Sequence, residues 1–249
     1  INWVLNALNG DFGESHSFGV AVSGLILERI SMTVSLAVFG MLLTIIIALS
    51  LGVGAAANHR KFGDWGVMLF SQLGIAIPAF WLSILLVILF AVKLRWLPPG
   101  GFPGWGDPLL AIKSLILPTI ALALVQSAVL ARVTRSSALE VMRLDYIRTA
   151  KASGFSRKRI LWRHVLPNAL VPIVTIVGMQ FAAVVTGTIV IENVFYLPGL
   201  GRLIFQSIAN RDLPTVQALV MMFAVIVVTA NFIVDLLYSV IDPRLRERN

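Results

Sequence analysis

An all-α, polytopic transmembrane helical bundle is the fold this sequence predicts, and three observations carry the prediction. Of its 249 residues, 58% are hydrophobic and only 13% charged, with a mean hydropathy of +0.89. A soluble domain is about 45–50% apolar and about 25% charged, and at this length it cannot hide so much apolar surface from water. Five apolar runs are long enough to cross a bilayer, and 9 of the 20 lysines and arginines are gathered between two of them, in Arg132–Arg163. Disordered, collagen-like and disulfide-stapled classes are excluded. The absence of cysteine also removes thiolate metal sites and cysteine nucleophiles. A net charge of +8 would suggest nucleic acid in a soluble protein. Basic residues flanking apolar runs set membrane orientation instead, and no basic strand interleaved with aromatics is present.

A hydrocarbon core about 30 Å thick needs about 20 helical residues, and open strands would leave backbone groups unpaired in lipid. The runs are Met32–Ala57, Val67–Val92, Ile112–Ala131, Ala169–Ile191 and Val216–Tyr238. Before the first, Asn9-Gly10-Asp11, Glu14 and Glu28-Arg29 are too polar to span. Residues 1–30 are therefore expected to form an external interfacial segment, with Trp3 and Phe12 as anchors. Asn58–Gly66 is short and basic, Lys93–Ala111 and Glu192–Thr215 are punctuated by Pro and Gly, and Arg132–Asn168 is long and helix-permissive. The side holding Arg60, Lys61, the Arg132–Arg163 stretch and the C-terminal arginines collects 14 basic residues against 6. That side is expected to be cytoplasmic, which places the N-terminus outside and the C-terminus inside. Pro78, Pro118 and Pro172 fall within the runs and predict kinks, with Gly74 and Gly178 adding local freedom.

The segment 132–168 holds the most informative stretch, EVMRLDYIRTAKASGFSRKRILWRHVLPN. It reads as a helix to about Ser153, a break at Gly154, and a second helix from an N-cap at Ser156 to about Val165, with Pro167 ahead of the next span. Val141, Leu144, Ile147 and Ala150 recur every three residues and give the first helix an apolar ridge. Arg143, Arg148 and Lys151 surround that ridge, so a protein groove suits it better than lipid. Spacing alone leaves open a basic loop that satisfies only the charge rule.

This stretch resembles the cytoplasmic signature of the inner-membrane permeases of ABC importers, an E-A-A motif followed by Gly and, further on, Leu-Pro. Here Gly154 sits four residues after Ala150, Leu166-Pro167 follow, and Arg148-Thr149-Ala150 replaces Glu-Ala-Ala. The form resembles the dipeptide, oligopeptide and nickel branch. Ile191–Leu203, Asn210-Arg211-Asp212, Asp242-Pro243-Arg244, Arg29 through Gly54 and Pro78–Leu86 match the same branch. The resemblance implies a single permease domain over residues 1–249 of a bacterial inner membrane protein. With Ile1 in place of Met, the chain is expected to lack the family's first helix. It further implies a homologous second permease, two cytoplasmic ATPase subunits that bind ATP and Mg, and an external substrate-binding protein. Leu144, Ile147, Arg148, Ala150, Lys151, Gly154, Phe155 and Pro167 would then form the coupling segment that docks on an ATPase. The cargo would be short peptides or similar small solutes, with nickel chelates and opines as alternatives within the branch.

No chemistry of the chain's own emerges. There is no GxxxxGK[ST], HExxH or GxSxG, so the chain is expected to be neither an enzyme nor a cofactor binder. Gly52-x-Gly54-x-x-Ala57 ends an apolar helix, where close helix packing is its expected role. His16, His59 and His164 have no second His or carboxylate at ligand spacing, so no metal site is expected. Among the polar residues within the runs, Gln72, Gln126, Gln180, Thr186 and Asn231 are candidates to line a path or to bond between helices. Asp235 is the one carboxylate within a run, expected to pair near Arg244. A gradient-driven transporter would need functional intramembrane charge, and a membrane enzyme would need converging catalytic groups.

Overall fold

A computed structural model describes residues 10–241, and among them every regular element is helical. The helices are α1 (Val22–Ala57), α2 (Phe62–Ala76), α3 (Ala79–Lys93), α4 (Pro108–Val141), α5 (Asp145–Ala152), α6 (Arg157–Val194), α7 (Leu200–Ala209) and α8 (Leu213–Ile241). Four helices are long and apolar enough to cross a membrane, and the bent pair α2–α3 makes up to five. Trp3, Arg244 and the side chain of Asp235 lie outside the described residues.

The structure sharpens three expectations. The segment expected at residues 1–30 is helical from Val22 and runs on into α1, whose 36 residues extend about 54 Å at 1.5 Å each. Arg29 stays inside the helix by donating to the Leu25 carbonyl at 3.0 Å. Phe12 packs, partly buried, on Leu200, Leu203 and their neighbours. Second, Val67–Val92 is more than kinked: it breaks at Pro78 into two helices, α2 and α3, bent by 107°, which together can still make one span. Pro78 pushes Ile77 into extended backbone (φ −86°, ψ 122°) and has no N–H to continue the ladder. Third, Pro167 starts nothing: α6 runs through it. A π-helical stretch, Leu161–Val165, makes room for the proline ring one turn earlier. Asn168 Nδ2 donates to the His164 carbonyl at 2.7 Å within that stretch.

The chain divides into two compact units. The first takes Ile1–Gly40, Ala79–Leu122 and Ala182–Thr229; the second takes Met41–Pro78, Ala123–Phe181 and Ala230–Asn249. In the first unit, Val22, Leu25, Leu200, Leu203, Ala218 and Leu219 form an apolar core. Beside it Glu192 is wholly buried and gathers donors. Thr33 Oγ1 gives to one carboxylate oxygen at 2.6 Å, and the N–H groups of Gly201 and Arg202 give to the other at 2.7 and 3.3 Å. Leu200 N–H in turn donates to Thr33 Oγ1 at 2.9 Å. A side chain from α6 thus caps the N-terminus of α7, where orphan donors and the helix dipole favour an acceptor. The backbone closes tightly here: a Cβ on Gly201 would stand 2.3 Å from the Ile189 Cα.

The same unit pins residues 14–21 to the turn before α8. The buried Ser15 hydroxyl donates to Asp212 Oδ2, as does Thr215 Oγ1 at 2.8 Å, while His16 N–H donates to Oδ1 at 3.2 Å. Burial pushes the Asp212 carboxyl up, but these donors outweigh it and hold it below the usual carboxylate range. A group lowered in this way stabilises the fold above its unfolded value and loses that contribution as pH falls toward its folded one. Thermal stability should therefore fall in acid, below about pH 4. Asp212→Asn should unfold at lower temperature near neutrality and show a flatter acid limb.

In the second unit Ile147, Val165, Ala169, Leu130 and Ala131 are wholly buried in a second core. Gly52 permits the close approach its motif implied, since a Cβ there would lie 2.8 Å from the Ala131 carbonyl oxygen. Gly74 supplies close packing in place of local freedom; its Cβ would meet that of Ala128 at 2.5 Å. The start of α2 is tied to α4 by a buried pair: Arg135 gives Nε to one Asp64 oxygen and an amino N–H to the other at 2.8 Å. Arg60 N–H adds a third donor at 2.9 Å, and His59 Nδ1 lies 3.1 Å from Asp64. His59 therefore has a carboxylate partner after all, through a turn and not through metal-ligand spacing. Breaking a buried pair from one side strands a charge, so Arg135→Ala should cost about 3–5 kcal/mol. Removing both groups should cost less than the two single losses together, measured by thermal unfolding in detergent.

Candidate functional site

The 132–168 segment folds as a helix, an elbow and a helix. α4 runs to Val141, and Leu144 in extended backbone opens α5. At the other end of α5, Gly154 N–H donates to the Lys151 carbonyl and Phe155 N–H to the Ala150 carbonyl, at 3.1 and 3.3 Å. That pair of bonds is a Schellman closure, which requires a left-handed residue between them. Gly154 supplies it with φ +78°. Ser156 then begins α6, its side chain accepting from Arg159 N–H at 3.4 Å. Both sequence-read signals, the glycine break and the serine cap, sit where expected.

The apolar ridge divides. Ile147 is 0% exposed and Ala150 9%, and both are buried in the second unit's own core with Val141. They anchor α5 and are not free to grip another protein. The ridge's period reported a buried face whose cover is the chain itself. What remains outside is Leu144 at 48% and Phe155 at 41%, with the charged ends of Arg148 and Lys151. Tyr146, 42% exposed, shares this surface, and the sequence reading passed over it. Its place between two ridge positions was the available signal. Phe155 stacks on His164 at 5.8 Å with Arg159 over its ring at 5.5 Å, so the elbow is held against the start of α6. Among the described residues Arg148 pairs only with Asp145 of its own helix, at 3.2 Å, both exposed. Pro167 lies within α6 and is exposed. Ile147→Ala should therefore destabilise by about 2–5 kcal/mol, and Leu144→Ala by no more than about 0.5 kcal/mol. Paired melting curves of the two variants would show it.

The five polar candidates do not form one cluster. Gln180, buried, donates through Nε2 to the Gln126 main-chain carbonyl at 3.0 Å, an interhelical bond between α6 and α4. Its Oε1 has no partner. Gln72, Thr186 and Asn231 are exposed on α2, α6 and α8. Thr186 shares an exposed stripe of α6 with Met179 and Ala183 and donates to its own helix, to Ala182 O at 3.0 Å. The exposed stripe of α1 carries Leu27, Val34, Val38, Leu42 and Ile46, with Ser31 and Ser50 at the same spacing. Among the described residues no group of three or more His, Asp or Glu side chains could hold a metal ion.

Comparison with known proteins places this geometry. An oligopeptide transport system permease protein, AppB of Bacillus subtilis, is 39% identical over 98% of this chain and 79% of its own length. OppB of Salmonella typhimurium, also named for oligopeptide transport, is 40% identical over 96% of this chain and 76% of its own. A Brucella abortus protein named as a peptide transport system permease is 45% identical over 98% and 78%. The inward-facing methionine ABC transporter MetNI contains a chain of the same fold, with a TM-score of 0.72 at 16% identity over 88% of this chain and 96% of that one. Residues 48–247 match the family described as binding-protein-dependent transport system inner membrane component. The chain that carries this glycine elbow therefore belongs to the family of inner membrane components of binding-protein-dependent transport systems.

Proposed function

We propose that this chain is the permease subunit of an ATP-driven importer of short peptides, with residues 1–249 forming one permease domain in a bacterial inner membrane. The supporting observation is the surface left bare at the elbow: Leu144, Tyr146, Arg148, Lys151 and Phe155, on a short helix whose opposite face is buried in its own unit. Oligopeptide transport is what the named relatives perform, and it sets the substrate class of this reading. The elbow side faces the cytoplasm, consistent with its basic residues. There it docks on one of two ATPase subunits, which bind ATP and Mg and hydrolyse the nucleotide. An external binding protein delivers the cargo, and a second, homologous permease completes the path.

The mechanism follows from how rigidly the elbow is built. ATP-bound and ATP-free states of the ATPase differ in their contacts with α5, and that difference is the free energy available to shift the permease between two conformations. Because Ile147 and Ala150 fix α5 into the second unit's core, a push on Leu144 or Phe155 moves that core and is not absorbed by a loop. Uptake of a labelled dipeptide into vesicles holding the four subunits and the binding protein tests the reading. It should vanish when the ATPases carry a substitution of the phosphate-binding lysine. Uptake that persists on an ion gradient alone would establish a secondary transporter instead.

A further inference from the structure

We infer that a cavity beside Tyr196 holds the carboxyl-terminal residue of a peptide in transit, the cavity taking its apolar side chain and Arg202 its carboxylate. The inference rests on the peptide-import reading and adds a place where the cargo is held. All of its residues belong to the first unit.

Three observations converge there. Tyr196 has φ +53°, a left-handed conformation that bulky side chains avoid. Such a conformation persists only where its surroundings enforce it, and these do. Leu197 N–H donates to the Glu192 carbonyl at 2.9 Å, and Gly101 N–H to the Phe195 carbonyl at 2.8 Å. Gly100 closes on the same carbonyl, which its Cβ would meet at 2.4 Å. The tyrosine ring is thus aimed by a rigid turn. Next, the ring lines a cavity of about 510 Å³ walled by Ile84, Val87 and Ile88 of α3 with Pro99 and Val194. No charged side chain lines it, and an aromatic or branched aliphatic side chain fits its size and chemistry. Finally, the Arg202 guanidinium lies 5.0 Å over the ring and donates to the Tyr196 carbonyl at 2.9 Å. Among the described residues no carboxylate pairs with it, which leaves the rest of a fork built for a carboxylate. A fixed cation stacked on the ring that walls an apolar cavity selects a carboxylate next to an apolar group, the chemistry of a peptide's last residue. A fatty acid offers the same chemistry, so the test must separate the two.

The chain has no cysteine, so Val87→Cys gives a single reactive thiol in the cavity wall, with Ile84→Cys as a second position should the first disturb folding. The assembled importer would be placed in nanodiscs and the rate of maleimide labelling of this chain followed with millimolar Ala-Phe, Ala-Phe carboxamide or laurate. Ala-Phe should slow labelling several-fold, the amide should not, and Arg202→Gln should remove the protection. Labelling unaffected by Ala-Phe, in an importer that carries it, would overturn the site and leave the import reading standing. Protection by laurate alone would make the cavity a lipid site, and equal protection by the amide would remove Arg202 from it. Should no Phe-terminated peptide be imported at all, the site fails together with this assignment of cargo.

Discussion

Gly154→Val is expected to leave the protein inserted and folded yet to abolish ATP-driven uptake. The argument is local. Gly154 holds φ +78°, and a Cβ there would meet nothing within 4 Å, so space is not the obstacle. Conformation is: a left-handed L-residue costs about 1–2 kcal/mol, and a β-branched one is a stronger outlier. The chain can avoid the cost by opening the Schellman bonds of Gly154 and Phe155, which swings Phe155 away from His164 and alters the surface beside Leu144. The buried side chains of Ile147 and Ala150 keep their core contacts, so the melting temperature should fall little while substrate-stimulated ATP hydrolysis is lost. Gly154→Asn, which tolerates the left-handed region, should retain part of the activity. Normal coupling in the valine variant would remove the elbow from the mechanism.

Glu192→Ala is expected to be the most destabilising single change in the first unit. It leaves the Thr33 hydroxyl and the N–H groups of Gly201 and Arg202 without an acceptor in a buried place. At about 1–3 kcal/mol for each of the three stranded groups, the loss is on the order of 3–9 kcal/mol, a large share of the stability of a typical domain. Gln at this position restores one acceptor but turns an amide N–H toward donors, so Glu192→Gln should recover only part of the loss. Thr33→Val should cost less than Glu192→Ala, because the carboxylate keeps its two backbone donors. Thermal unfolding of the purified chain in detergent, read across the three variants, gives the order directly.

The two predictions come from residues of unequal legibility. Gly154 and Ser156 could be read from the sequence because a helix break and a cap are local events, set by residues a few positions apart. The apolar runs were legible for the same reason, since hydropathy sums along the chain. Glu192 was not: its partner Thr33 is 159 positions away, and no spacing rule connects them. The Asp64–Arg135 pair, 71 positions apart, escaped in the same way. Ile147 shows a subtler limit. A three-residue period says that a face is covered but not by what, and here the cover is α4 and α6 of the same chain. Pro78 and Pro167 show that a proline's consequence depends on its surroundings. Pro78 follows an extended Ile77 and parts two helices by 107°, while Pro167 follows a π-helical stretch and interrupts nothing.

The account stands or falls on what covers the bare side of α5 when the importer is assembled. Single cysteines placed at Leu144, Arg148 and Ile147 of this cysteine-free chain, in complex with its ATPases, would be tested for short-range crosslinking to those subunits. Crosslinks at 144 and 148 with none at 147 are the expected pattern, because the first two are exposed and the third is sealed in this chain's own core. Cysteines at 144 and 148 that stay open to water-soluble reagent in the complete complex, with no crosslink to an ATPase, would contradict it.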